Sequence, residues 1–399
     1  MKIAVMGCGV VGSGVVEICD NKAEMLGARC GADTVEVKYI LDIRDFTGHP
    51  YAPRVISDIN TIINDDEIAA VAETMGGTEP AFSYCMACLN AGKAVVTSNK
   101  ELVANKGDEL LAAAKANNVS FRFEAAVCGG IPVLNSLFTD LAANRISSLC
   151  GILNGTTNFI LTSMIKEGAA FEDALKTAQD KGYAERNPAA DIEGIDACRK
   201  TAILTSIMTG SHIYPQDIPT KGITRITLDD ARAADRAGCA IKLLGASGYN
   251  ADGSVSASVQ PRLVKKGTLL AATEGVFNAL LAKGDSVGEV LFYGPGAGKE
   301  ATASAVCGDI LQCLRANCFE GHYFWEKSNG RPLAAPSNRW FVRGILKDNG
   351  SIPEEVCDGD IADDGSEVTF FTPVLSSDEA ESLLASAEGF ELISIIAVL

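Results

Sequence analysis

A short apolar run, Lys2–Met6, leads directly into Gly7-Cys8-Gly9-Val10-Val11-Gly12, and a helical pattern then runs to about residue 21. This strand–glycine turn–helix sequence constrains the fold more than any other feature of the chain. The first glycine permits a tight turn, the second lets a phosphate approach the backbone, and the third lets helix and strand pack closely. Free N–H groups and the helix dipole then favour an anion at the helix N-terminus. The pattern predicts a dinucleotide-binding domain, with Gly7, Gly9, Val10, Val11 and Gly12 around the pyrophosphate. A glycine-rich turn without a ligand is the competing reading, and the position between strand and helix disfavours it.

Strand and helix patterns continue to alternate: strands at 35–41, 69–73, 94–97 and 120–124, helices at 80–90 and 102–117. Such alternation gives an α/β fold with a mostly parallel, doubly wound sheet. The second strand ends Asp42-Ile43-Arg44-Asp45. An acidic residue there takes the ribose hydroxyls of NAD, whereas an arginine pairs with the 2′-phosphate of NADP. Both are present, and a solvated Arg44 is equally compatible with the sequence. Thr97-Ser98-Asn99-Lys100 falls at the carboxyl edge of the sheet, where ligands bind in such folds.

The middle of the chain reads differently. Helical patterns fill 157–211, then strand-like runs follow at 240–246, 255–263, 276–281 and 287–292, suiting an α+β domain with a largely antiparallel sheet. A helix at 302–318 reads as a return to the first domain. The expected division is 1–130 with 302–325, then 131–301, a linker at 326–338, and a tail module at 339–399. The tail shows strands at 339–346, 367–372 and 391–399 and a helix at 377–388.

Composition excludes several classes of function. Against 34 Lys and Arg stand 51 Asp and Glu, a net charge of −17, which disfavours nucleic acid and anionic membrane surfaces. No apolar run is long enough to span a bilayer. Thirteen scattered cysteines read as reduced thiols of a cytoplasmic protein. The one close pair, Cys85 and Cys88, lies in a helical pattern and suits core packing better than metal or redox chemistry. Three isolated histidines, His49, His212 and His322, support neither a zinc site nor a histidine-based triad.

Acid–base chemistry therefore falls on lysines and carboxylates. Asp196 and Lys200 are four residues apart, on one helix face, where the helix turns apolar. A lysine entering a core is partly desolvated, which suits proton transfer. An ordinary surface Asp–Lys pair is the plainer alternative.

The ordered set GCGVVG (7–12), TSNK (97–100), EAAVCGGIP (124–132), NGTTN (154–158), KGYAE (181–185), DIEGIDACRK (191–200) and GPGAG (294–298) resembles the homoserine dehydrogenases over about residues 1–325. The resemblance implies NAD(P)-dependent interconversion of L-aspartate 4-semialdehyde and L-homoserine, on the route to threonine, methionine and isoleucine. It implies Lys200 as proton donor and acceptor, and Lys100 as a second catalytic lysine. It assigns Glu185, Asp191, Asp196, Asn154, Gly155, Thr156, Lys181 and Tyr183 to the substrate. To the cofactor, with a lean to NADP through Arg44, it assigns the glycine-rich turn, Gly76, Thr97, Ser98, Lys100, Gly298 and Glu300. Backbone carbonyls of Glu124, Val127, Gly129 and Ile131 match a sodium site. A homodimer through the middle sheet is implied, extended to a tetramer if the tail also pairs.

Many members of that family end in an ACT module of pattern βαββαβ. Residues 339–399 resemble its first strand and its last strand–helix–strand, with the first helix and second strand expected to be absent. Two other readings compete. A semialdehyde dehydrogenase would need a nucleophilic cysteine, and Cys128 has no neighbouring histidine. A silent NADP-binding redox sensor would not need Lys100, Glu185, Asp196 and Lys200.

Overall fold

A computed structural model describes residues 1–315, 325–347 and 350–399. His322 and residues 316–318 of the expected helix lie outside the described residues. The chain forms two compact units, one of Met1–Ser147, Ala202–Pro215 and Lys283–Arg331, the other of Ser148–Thr201, Gln216–Ala282 and Pro332–Leu399. The strands that matter are β1 (Lys2–Met6), β2 (Glu36–Leu41), β3 (Val55–Ile56), β4 (Ile68–Glu73), β5 (Ala94–Thr97), β6 (Phe121–Arg122), β7 (Ile146–Ile152), β8 (Cys239–Tyr249), β9 (Val255–Lys265), β10 (Phe277–Gly284), β11 (Trp340–Leu346), β12 (Ala362–Asp363), β13 (Val368–Phe371) and β14 (Phe390–Val398). The main helices are α1 (Val10–Cys30), α2 (Ala81–Asn90), α3 (Lys100–Ala116), α4 (Gly155–Glu167), α5 (Ile195–Thr209), α6 (Leu228–Arg236), α7 (Lys299–Leu314) and α8 (Ser377–Ala385).

In the first unit six strands lie in the order β3-β2-β1-β4-β5-β6, and every pairing is parallel. This is the doubly wound order, in which β1 and β4 flank the crevice where connections reverse direction. The strands are apolar on both faces: Ile3, Ala4, Val5 and Met6 are fully buried, as are Val71, Ala72, Val95 and Val96. Helix α1 packs on α7, and closeness is enforced at Gly14, where a Cβ would stand 2.9 Å from the Ala303 methyl. Helix α1 runs nine residues past the expected end at residue 21. It crosses a non-helical Lys22 (φ −134°), so the pattern breaks in register while the helix continues to Gly31, a left-handed C-cap.

In the second unit the sheet runs β10-β7-β8-β9-β14-β11-β13-β12. Strands β8 and β9 pair antiparallel along eleven residues each. The tail strand β14 then continues the sheet, parallel to β9 through Ala397 opposite Arg262 and Val398 opposite Leu263. Within the tail the order β14-β11-β13-β12 is that of a split βαβ sheet, 4-1-3-2. The second strand, expected to be absent, is present as the two-residue β12, paired with β13. The first helix is replaced by a single 3-10 turn, Glu354–Val356. A Pro at residue 353 and two consecutive glutamates leave that stretch without the apolar spacing of a longer helix. Trp340, Val342, Val356, Phe370, Ala380, Leu384 and Ala397 form the tail's core.

Candidate active site

The glycine-rich turn of the first unit is built as its spacing requires. Gly7 has φ +87°, in the left-handed region open mainly to glycine. A Cβ on Gly12 would lie 1.9 Å from the Gly7 carbonyl oxygen, so the helix could not sit on the turn with any larger residue. Above Gly9 nothing stands within 4 Å of where a Cβ would be. That open space, over the N-terminus of α1, fits a pyrophosphate. Val10 is exposed there, whereas Val11 packs partly against the core.

Asp42 lies beside this turn. Its Oδ2 accepts the Cys8 N–H at 2.7 Å. Arg44 donates its Nε to Oδ1 at 3.0 Å and an Nη to Oδ2 at 2.6 Å. The guanidinium holds the Asp42 carboxyl down at about 2. Arg44 itself is exposed and lies over the Phe46 ring.

Across the switch point, β4 ends at Glu73, opposite Met6 of β1. Glu73 is fully buried and accepts the Met75 N–H at 2.7 Å, the Gly76 N–H at 3.3 Å and the Thr97 hydroxyl. Thr97 Oγ1 accepts the Asn99 N–H at 2.9 Å, and Asn99 donates its amide to the Gly77 carbonyl and caps α3. Lys100 is therefore the first residue of a capped helix, and Gly76, Thr97, Ser98 and Lys100 share one edge of the sheet. Sequence reasoning passed over Glu73. A glutamate closing an apolar strand before two glycines is the signal that could have found it.

The turn after β6 is held by the Glu124 side chain, whose carboxylate accepts the N–H groups of Val133, Leu134 and Asn135 at 2.6–2.8 Å. Cys128 and Gly129 follow one another at φ +58° and +57°. The Glu124 and Ile131 carbonyls each accept one backbone N–H, from Val127 and Val133. Gly129 lies against the Gly296 carbonyl, 2.5 Å from where its Cβ would be, and Gly298 (φ +117°) starts α7 ahead of Glu300. Among the described residues no group of His, Cys, Asp and Glu could hold a metal ion. This turn presents backbone carbonyls, two of them already accepting an N–H, and no cluster of anionic side chains among the described residues.

In the second unit the residues drawn from three motifs meet. Lys200 is buried on α5 and donates to Asp196 Oδ2 at 2.7 Å and to the Leu153 carbonyl at 2.7 Å. Asn154 is the N-cap of α4: its Oδ1 accepts the Thr157 N–H. Its amide nitrogen donates to Asp191 Oδ1 at 2.7 Å and to Asp196 Oδ2 at 2.9 Å. Gly155 is pressed on the Val276 carbonyl, 2.5 Å from a would-be Cβ. The Thr156 hydroxyl donates to the Tyr183 carbonyl, tying the 181–185 loop to the start of α4. Lys181 lies over Phe159, and Tyr183 packs edge-on against the same ring. Glu185 is exposed, and among the described residues its side chain bonds to none of this cluster. The sequence pair Asp196/Lys200 is thus a buried ion pair, not a surface one.

The cysteine pair Cys85/Cys88 is buried on α2, where burial pushes the Cys88 thiol up to about 12, as core packing requires. No helix among the described residues is long and apolar enough to cross a membrane.

The chain is similar to known proteins over most of its length. The family described as homoserine dehydrogenase, NAD binding domain, matches residues 7–124, and the homoserine dehydrogenase family matches residues 132–311. A homoserine dehydrogenase of Bacillus subtilis is 40% identical over 358 residues, 87% of this chain and 82% of its own. The crystal structure of a homoserine dehydrogenase from Thiobacillus denitrificans superposes with a TM-score of 0.89 at 33% identity, covering 100% of this chain and 98% of the other. A hyperthermophilic archaeal homoserine dehydrogenase, in complex with NADPH, gives 0.65 at 29% identity, covering 78% and 97%. A dinucleotide cradle in one unit and a buried lysine–carboxylate cluster in the other, matched over this length, place the chain in the homoserine dehydrogenase family.

Proposed function

We propose that, in the NAD(P)-dependent interconversion of L-aspartate 4-semialdehyde and L-homoserine, Lys200 moves the proton at the reacting oxygen. The observation that carries this reading is the hydrogen-bonded chain Lys200–Asp196–Asn154–Asp191, whose first three members are buried. When bound, the nicotinamide gives or takes the hydride. In the reducing direction the Lys200 ammonium protonates the developing alkoxide, and solvent restores its proton. In the oxidising direction the amine accepts the hydroxyl proton. Asp196 and the Leu153 carbonyl fix the ammonium, so orientation is in place before the substrate arrives. A cation at that oxygen also stabilises the transition-state charge.

Asp191 and Glu185 take the substrate's ammonium end, with Asn154, Gly155, Thr156, Lys181 and Tyr183 around it. Lys100 is the second catalytic lysine. The exposed Glu185 makes its contact through the substrate. NADP is the preferred cofactor: Arg44 turns from Asp42 to the 2′-phosphate, and Asp42 keeps its bond from Cys8. The archaeal relative's complex with NADPH supports this choice. Carbonyls of Glu124, Val127, Gly129 and Ile131 hold a sodium ion. The protein works in the cytoplasm as a homodimer, with the tail free to extend it to a tetramer.

The direct test is NADP⁺ reduction by L-homoserine at alkaline pH, with NAD⁺ in parallel. Turnover with NADP⁺ is expected. Arg44→Ala should raise KM for NADP⁺ far more than for NAD⁺, and equal effects would remove Arg44 from the site.

A further inference from the structure

Glu73 is an ionisable group that the proton chemistry does not use. It is fully buried at the carboxyl end of β4, and no cation among the described residues pairs with it. Its carboxylate oxygens meet backbone N–H groups and a hydroxyl. The Met75 and Gly76 N–H groups meet Oε1, and the Thr97 hydroxyl meets Oε2. The hydroxyl oxygen also accepts the Asn99 N–H, which leaves its own proton free to point at Oε2. Two of the carboxyl's partners, the Met75 and Gly76 N–H groups, can only donate, and they favour the ionised carboxylate. Burial pushes the group upward and these donors oppose it. A buried anion without a cation is costly, so its retention asks for a reason.

Position gives one. Glu73 pairs with Met6 at the switch point between β1 and β4. In this fold β1–β3 hold one mononucleotide half and β4–β6 the other, and the ribose-reading residue at the end of β2 marks the adenosine half. The nicotinamide half therefore lies over β4–β6. The oxidised nicotinamide ring carries a positive charge and the reduced ring carries none. We propose that the Glu73 carboxylate is a fixed counter-charge that favours the oxidised, cationic ring over the reduced, neutral one. The inference rests on the cradle assignment above. Glu73 acts on the cofactor's charge, whereas Lys200 acts on the substrate's proton.

The test is a pair of dissociation constants, for NADP⁺ and NADPH, measured on the full chain by NADPH fluorescence and competition. In Glu73→Gln, NADP⁺ should weaken about tenfold more than NADPH, on the order of a single charge–charge interaction at an effective dielectric of about 20. Equal weakening of both forms, or none, would overturn the inference and leave Glu73 a structural residue. Glu73→Asp keeps the charge, so its ratio should stay near wild type. A shift as large as that of Glu73→Gln would mean that loop geometry sets the ratio, and would also overturn it. If Glu73→Gln does not fold, the wild-type chain decides: NADP⁺ should bind at least as tightly as NADPH, and a tenfold preference for NADPH refutes the idea. A wild-type chain that binds neither form would sink the cradle assignment itself, and the inference with it.

Discussion

Arg343 on β11 donates its Nε to Asp230 on α6 at 3.0 Å, and both side chains are almost wholly buried. Asp230 is also the residue that closes the capping box of α6 with Thr227, and it accepts the Ser394 hydroxyl from β14. Arg343 reaches Glu367 on its other side. The tail is thus fastened to the helix layer of the second unit by a shared carboxylate. Arg343→Met should cost about 3–5 kcal/mol, because it strands a buried anion. In the double variant with Asp230→Asn the loss should be much smaller than the sum. Additive losses in urea unfolding would show that the two residues are not coupled.

Lys200→Ala should lower kcat by about 10²–10⁴-fold and leave cofactor binding intact, the usual worth of a positioned acid–base group. Asn154→Ala removes the bridge to Asp191 and Asp196 together with a helix cap. It should raise KM for homoserine and lower stability by roughly 1 kcal/mol. Near wild-type turnover in Lys200→Ala would dismiss the proton assignment.

Lys242 is buried on β8, where its ammonium donates to the Asn158 side chain and the Thr273 carbonyl. Burial pulls it down to about 8 from an ordinary 10.5. Between those values the unfolded chain holds the proton and the folded chain releases it. Its contribution to stability therefore rises with pH across about 8 to 10.5. The full rise is on the order of 3 kcal/mol. Comparing urea midpoints of wild type and Lys242→Met from pH 7.5 to 10 isolates this slope, and parallel curves would contradict it.

L-Threonine at millimolar concentration should leave the rate unchanged. The first helix of a βαββαβ module, whose N–H groups could hold an amino acid's carboxylate, is here one 3-10 turn with Glu354 and Glu355 in it. Cooperative inhibition in a steady-state assay would show that the shortened module still builds an effector site.

The first unit was largely legible because its signals are local. Glycine spacing and apolar strands each act within a few residues. The Asp196–Lys200 contact was legible for the same reason, being one helical turn. What escaped is set by distance or by missing pattern. Asn154 meets Asp191 and Asp196 only through the fold, and no spacing encodes that. Strand β7 does not alternate, with three partly buried residues in succession at its start. Strand β12 has no apolar residue but Ala362 and exists because β13 offers it an edge. Helix α6 escaped although Thr227 and Asp230 spell a capping box, a signal that was there to be read.

Strand β14 is stitched to the middle of the chain: it pairs with β9 on one side and β11 on the other, and the Leu399 N–H donates to the Leu263 carbonyl. The first unit likewise needs α7 on α1 before its helix layer is complete. Domains usually fold as they emerge, N-terminal first. Here the order of synthesis offers no such head start. Neither unit can complete itself on the ribosome until late segments have left it: the first needs α7 and the second needs β14. A nascent chain stalled before β14 would carry an open sheet edge at β9, the kind of surface that chaperones cover.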